Sequence, residues 1–304
     1  ASAMSLPIVQ HPDYVAPLRP THSFPMSKYG YLRAALEARG LMRPGGWLAP
    51  APANPGQIAL AHDPAYVDRA LGLTLSDNEV RRIGLPRSPQ VMRRARLAAA
   101  GTTLAARLAL EYGVACNGAG GSHHAGPAGG AGYCVFNDVA VAAATLLAEG
   151  TVRRVLVVDA DVHQGDGTAE IFVGDDRVFT LSIHAEKNFP ARKARSDLDV
   201  ALPDGVMDRA YVAALGQALE TAFAAAPADL VFYNAGVDAH LDDRLGRLAL
   251  SDAGLRARDR LVLGACRARG LPVIGVLGGG YGPDPAAIAA RHALLFEEAA
   301  ALAG

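Results

Sequence analysis

The chain has 304 residues, 51% of them hydrophobic and 19% charged, which is ample apolar material for a large core and excludes a generally disordered chain. A formal net charge of -1 gives no electrostatic basis for holding nucleic acid or an anionic membrane, and no apolar run is long enough to span a bilayer. The three cysteines (Cys116, Cys134, Cys266) are odd in number and lack C-x-x-C spacing, so they read as free thiols of a cytoplasmic protein.

The opening ASAM reads as an expression scar, and no linker or charge block divides residues 1–304, which are expected to form one domain. In chain order, a strand is expected at Gln57–Ala61, a helix at Ser88–Tyr112, a strand at Val114–Asn117 and a helix at Asn137–Glu149. Strands follow at Val155–Asp159 and Val178–Ile183, then a helix at Asp208–Ala225, a strand at Leu230–Asn234, a helix at Ser251–Arg269, a strand at Val273–Leu277 and a last helix from about Pro285. Short β-branched runs alternating with amphipathic Ala/Leu/Arg stretches imply an α/β fold of three layers, a central, mostly parallel sheet flanked by helices.

The polar motifs follow the strands. GAGGSHHAG comes after Val114–Asn117, Asp159-Ala-Asp161-Val-His163 after Val155–Val158, and Ser182 and His184 flank the end of the next strand. Ala-Gly-Val-Asp238 follows Leu230–Asn234 and GGGY follows Val273–Leu277. Open α/β sheets place their ligand sites at the carboxyl ends of parallel strands, so one pocket is expected to collect all five.

Asp159, Asp161 and His163 alternate in an extended segment and so share a face, where carboxylates and an imidazole can hold a divalent metal. Asp161, His163 and Asp238 would give an O/N/O set from two strand tips, suited to zinc or ferrous iron with one position left open. The competing account of D-x-D-x-H is a solvated turn capping the helix begun by GTAEIF, and of Asp238 a helix cap. His240, Asp242 and Asp243 read as a solvated acidic loop. Adjacent His123 and His124 behind Gly120 and Gly121 suggest close approach of the backbone to something bound, and Asp159 and Asp166 are spare carboxylates to orient the two rings. Lone histidines (His11, His22, His62, His292) read as hydrogen-bonded structural residues. Tyr281 behind three glycines can bring a phenol into a pocket as an oxyanion donor, or be a half-buried aromatic with a wet hydroxyl. Cys134, in Tyr-Cys-Val-Phe, reads as a buried thiol.

In this order GGSHHAG, GYCVFND, VDADVHQGDGT, SIHAEKNFP, NAGVDAH and GGGY resemble the zinc-dependent histone deacetylase family from about His11 to the last helix. HSFPMSKY, RRIGLPRS, YCVFNDVAVAA and RSDLDVALPDG are most similar to the class IV branch and its bacterial relatives. The resemblance implies the arginase/deacetylase fold, zinc on Asp161, His163 and Asp238, and His124 as general base and acid oriented by Asp166. It makes His123 an electrostatic partner held by Asp159, and Tyr281 a donor to the carbonyl oxygen. Gly132, Tyr133 and Phe189 would wall an acyl-lysine tunnel with Leu245 at its rim, and Asp159, His163 and Ser182 would form part of a structural K+ site. Tyr133 departs from the family's usual Phe, which makes the tunnel more polar.

The expected activity is a zinc-dependent amidohydrolase that removes acetyl or longer acyl groups from lysine side chains of a protein or peptide. The alternatives are hydrolysis of an acetylpolyamine or other small acylated amine, and a catalytically silent acyl-lysine-binding protein. A monomer or small homo-oligomer is expected.

Overall fold

The computed structural model describes residues 6–303, so the ASAM segment lies outside the described residues. Seven strands form one sheet: β1 (Ile8–Val9), β2 (Val114–Asn117), β3 (Val155–Asp159), β4 (Val178–Ala185), β5 (Leu198–Leu202), β6 (Leu230–Asn234) and β7 (Val273–Val276). Their order is β1-β2-β7-β6-β3-β4-β5, and every pairing is parallel. The inner strands β2, β3, β6 and β7 are buried at every residue, which is why they read as unbroken apolar runs. At the edge, β5 alternates between covered and exposed residues, and β1 is only two residues long. Neither carries a run long enough to be recognised in sequence.

The Gln57–Ala61 strand is corrected to a short helix. Pro55–Ile58 forms a helical turn (α2) because Asn54 Oδ1 accepts from the Gln57 amide at 2.8 Å and Pro55 pre-sets the first helical φ. Among the described residues the other helices are α1 (Lys28–Ala38), α3 (Pro64–Leu71), α4 (Asp77–Ile83), α5 (Pro89–Tyr112), α6 (Asp138–Ala148), α7 (Asp166–Ile171), α8 (Asp208–Ala225), α9 (Asp252–Ala268) and α10 (Pro285–Ala303). Side-chain caps set their starts: the Ser88 and Ser251 hydroxyls each accept an amide three residues on at 3.1 Å, and Ser76 forms a reciprocal pair with Glu79. α5 lies along β1, β2, β7 and β6 and packs on α6, α8 covers β4 and β5, and α10 joins α1 and α9. Among the described residues no helix is long and apolar enough to cross a membrane.

The topology locates the site. From β3 the chain runs outward through β4 to β5, then returns to the other side of β3 to lay down β6 and β7. The strand order therefore reverses between β3 and β6, where an open α/β sheet has its crevice. Parallel register sets Asp159 level with both Ser182 and Asn234, so the segments leaving β3, β4 and β6 emerge at one height.

Candidate functional site

Asp161 and His163 follow β3 and Asp238 follows β6, one from each side of the crevice. One ligand atom from each lies within 4.8 Å of the others, and all three side chains are buried. His163 Nδ1 is 3.0 Å from both Asp161 Oδ1 and Asp238 Oδ2. Backbone amides hold the other oxygens: Gly279 donates to Asp161 Oδ2 at 2.6 Å and Val162 to Asp238 Oδ1 at 2.9 Å. Gly279 is required there, since a Cβ would collide with the Asp238 carboxylate and approach that of Asp161.

This donor set fits a divalent cation. Two buried carboxylates and an imidazole converge with no lysine or arginine nitrogen among them, and buried charge of one sign needs a counter-ion. Without a metal, His163 itself has to supply that cation: burial opposes its charging, but the bonds to Asp161 and Asp238 prevail and raise its pKa to about 10. Burial and the Asp161 charge push Asp238 up to about 7, whereas Asp161, despite burial, is held well below the usual carboxylate range by His123 and His163. One nitrogen and two oxygens in a closed cluster suit zinc or ferrous iron better than a hard-oxygen cation.

The loop after β2 brings His123 and His124 to the cluster, with ring centroids 4.2 Å apart. Asp138, the first residue of α6, pins this loop by accepting the Gly121 amide at 3.1 Å, the Ser122 amide at 2.8 Å and the Thr102 hydroxyl at 2.6 Å. Each imidazole has its own carboxylate: His123 Nδ1 is 2.6 Å from Asp159 and His124 Nδ1 is 2.6 Å from Asp166. Their charges differ. Burial opposes the protonation of His123, yet Asp159 and Asp161 outweigh it and raise its pKa to about 9. For His124, burial and then the His123 charge prevail over Asp166 and lower the pKa to about 4. Near neutral pH the pair is therefore one imidazolium beside one neutral ring.

His124, His163 and Tyr281 line a cavity of about 610 Å³ together with Gly132, Tyr133, Phe189 and Leu245. Gly132 admits no side chain, because a Cβ would lie 2.6 Å from the His124 ring. The Tyr133 hydroxyl shares a hydrogen bond with Ser23 at 2.8 Å, and the half-exposed Phe189 ring meets His124 edge-on at 4.9 Å. Asn188 ties the Phe189 and Leu245 loops together, donating to Leu245 O at 2.7 Å and accepting from the Arg247 amide at 3.0 Å. Tyr281 is buried with its ring 6.1 Å from that of His163, and burial keeps its phenol protonated. Ser182 lies level with Asp159 but shares its hydroxyl with His184 Nδ1 at 2.9 Å.

Several supporting residues carry no signal in the sequence. Lys28 is buried behind the GGGY loop, with Nζ 3.2 Å from Gly280 O and 5.6 Å from the Tyr281 ring centroid. Asn234 donates to Asp159 Oδ1 at 3.1 Å. The solvated acidic loop is corrected in part: of His240, Asp242 and Asp243 only Asp242 is exposed, His240 is buried, and Asp243 accepts the amides of Tyr281, Leu245 and Gly246. The loop turns inward to build the wall under Tyr281. His11, His22 and His62 are hydrogen-bonded as expected, but His292 is buried with Nε2 unpartnered. Cys134 is a buried free thiol whose pKa burial raises, which suits no nucleophile.

The profile of the histone deacetylase domain matches residues 22–296. The chain is 48% identical over 296 residues to an uncharacterized protein of Picosynechococcus sp., covering 97% of this chain and 99% of that one. It is 30% identical over 269 residues to histone deacetylase 2 of Arabidopsis thaliana, covering 86% and 70%. Among solved structures, a histone deacetylase homolog complexed with SAHA superposes with a TM-score of 0.81 at 25% identity, covering 98% of this chain and 84% of that one.

Proposed function

Because the chain belongs to the histone deacetylase family, we propose that it is a zinc-dependent amidohydrolase that removes an acetyl or longer acyl group from the ε-amine of lysine in a protein or peptide. The observation that carries this reading is the buried Asp161–His163–Asp238 cluster, whose His163 lines one cavity together with His124 and Tyr281. Zinc held there supplies a Lewis acid that polarises an amide carbonyl and acidifies a water molecule.

The remaining chemistry is assigned to side chains. Asp166 accepts the Nδ1 proton of His124 and so leaves its Nε2 lone pair free. That nitrogen takes a proton from water as the water attacks the carbonyl carbon, and returns it to the leaving amine. The Tyr281 hydroxyl donates to the developing oxyanion, and the imidazolium of His123, held by Asp159, adds positive potential nearby. In this reading Gly132, Tyr133 and Phe189, which line the cavity, confine the acyl-bearing chain, and the exposed Leu245 is assigned to its mouth.

Arg81, Arg82 and Arg192 line the same cavity, against the carboxylates of Glu170 and of Asp166, the latter engaged with His124. A net positive rim repels a polycation, which favours acyl-lysine over an acylpolyamine. The test combines metal analysis with amine release from acyl-lysine peptides and acylpolyamines. One zinc per chain and chelator-sensitive release from the peptides are expected. Zinc binding without release from any substrate would leave a binding protein, and preferred turnover of acylpolyamines would move the substrate class.

A further inference from the structure

Arg258, in α9, has 0% exposure and is the largest side chain of the fully buried interior. Nε donates to Asp259 Oδ1 at 3.0 Å, Nη2 lies 2.9 Å from the same oxygen as an ion pair, and Nη2 also donates to Ala235 O at 3.2 Å. Nη1 bonds Ala160 O at 3.3 Å and also Gly236 O. Asp259 balances the charge and is itself anchored by the Tyr233 hydroxyl at 2.6 Å. Ala160 stands between Asp159 and Asp161, and Ala235 and Gly236 lead into Asp238. Their carbonyls have turned away from the sheet toward α9, while the amides of Ala160 and Ala235 still bond the next strand, at 2.9 and 3.0 Å.

From this geometry we infer that Arg258 is a positioning residue that sets the separation of the two segments carrying the metal ligands, an inference that rests on the metal-binding reading above. Asp161 and Asp238 enter one small cluster from two different strands, so the separation of the tips of β3 and β6 sets the separation of the ligand atoms. A single nitrogen, Nη1, bonds one carbonyl from each tip and ties the two together. The segments also touch at Gly236, where a Cβ would lie 2.9 Å from Asp161 Cα. Stability alone does not call for this arrangement, because a buried ion pair is often matched or exceeded by apolar residues of similar volume. An apolar pair cannot hold three carbonyls from two strands. The planar fork can do so while it also pairs with Asp259, whereas an ammonium group has only three N–H donors for these four acceptors.

The experiment measures Zn2+ affinity of the metal-free protein by chelator competition, alongside thermal unfolding of the same sample, for wild type, Arg258→Lys and Arg258→Met. Arg258→Lys keeps a charge beside Asp259 but loses the span across Ala160, Ala235 and Gly236. It is expected to keep a metal-free unfolding temperature close to wild type while binding Zn2+ about tenfold more weakly or worse, the range for partners that orient metal ligands. Arg258→Met is expected to weaken Zn2+ binding at least as much and to unfold at a lower temperature. Wild-type Zn2+ affinity in Arg258→Lys overturns the inference whatever happens to stability, and so does failure of that variant to fold, which would make Arg258 a requirement of the fold. A wild-type chain that binds no Zn2+ overturns the metal-binding premise itself, a result distinct from either variant outcome.

Discussion

Zinc affinity should climb with pH well past the range in which an ordinary histidine site has levelled off. With a pKa raised to about 10, His163 holds a proton in the metal-free cluster at pH 7, and the metal needs the nitrogen lone pair that this proton occupies. Each bound ion must then expel one proton, so affinity gains about tenfold, or about 1.4 kcal/mol, per pH unit between about 7 and 9. Below about pH 7, Asp238 also takes up a proton, and the slope steepens toward two protons per metal. A cluster with an unshifted imidazole would stop gaining near pH 7. The sign for the metal-free fold is the reverse. A folded-state pKa raised above about 6.5 contributes stability that is fully present below that pH and is lost as pH rises through about 10. Alkaline buffer should therefore tighten the metal and loosen the empty protein together. Chelator-competition titrations from pH 6 to about 8.5, corrected for the chelator's own protonation, measure the slope. An affinity that is flat above pH 7 would refute the reasoning, because it would mean that His163 is already deprotonated between its two carboxylates.

The two histidines should be unequal: His124→Ala should lower kcat by about 100-fold or more, as lost general acid–base catalysis does. His123→Ala should lower kcat less but reduce the unfolding temperature, since it leaves Asp159 buried without its cation. Equal kcat losses would remove the distinction drawn from their pKa values. Tyr281→Phe should cost about 100- to 1000-fold in kcat with zinc content unchanged, and near wild-type turnover would exclude the oxyanion role. Gly279→Ala should strip zinc from a folded chain, because the added methyl group enters the space between the Asp161 and Asp238 carboxylates. Full zinc occupancy after gel filtration would show that the cluster is looser than its geometry implies.

Much of the framework was legible because the inner strands are buried on both faces. Val114–Asn117, Val155–Asp159 and Leu230–Asn234 form strands at those residues, since a doubly covered strand shows as an unbroken apolar run. The edges were not legible: β5 shows only a brief alternation, β1 is two residues long, and the Gln57–Ala61 run was overruled by the Asn54–Pro55 helix start. The grouping of the site motifs followed from the same framework. The sheet is parallel and in register at Asp159, Ser182 and Asn234, so motifs placed just after strand ends in sequence emerge at one height in space.

The residues that brace the site were harder to read because they act on backbone carbonyls, which carry no sequence signature. Lys28 and Arg258 bond Gly280, Ala160, Ala235 and Gly236, and nothing in those residue types indicates a cation behind them. Arg258 also lies in Arg-Ala-Arg-Asp-Arg, a run that looks like a solvated helix surface. Its neighbours Arg256 and Arg260 do face outward, to Glu297 and Glu298. Helical spacing nonetheless separates the three. Leu255, Arg258, Asp259, Val262 and Cys266 fall at i, i+3, i+4, i+7 and i+11, the repeat of a single buried stripe, and all five are buried. An arginine and an aspartate placed together in an apolar stripe must satisfy each other and find acceptors in the core. In a chain whose polar chemistry gathers at strand ends, the carbonyls freed where those strands leave the sheet are the acceptors within reach.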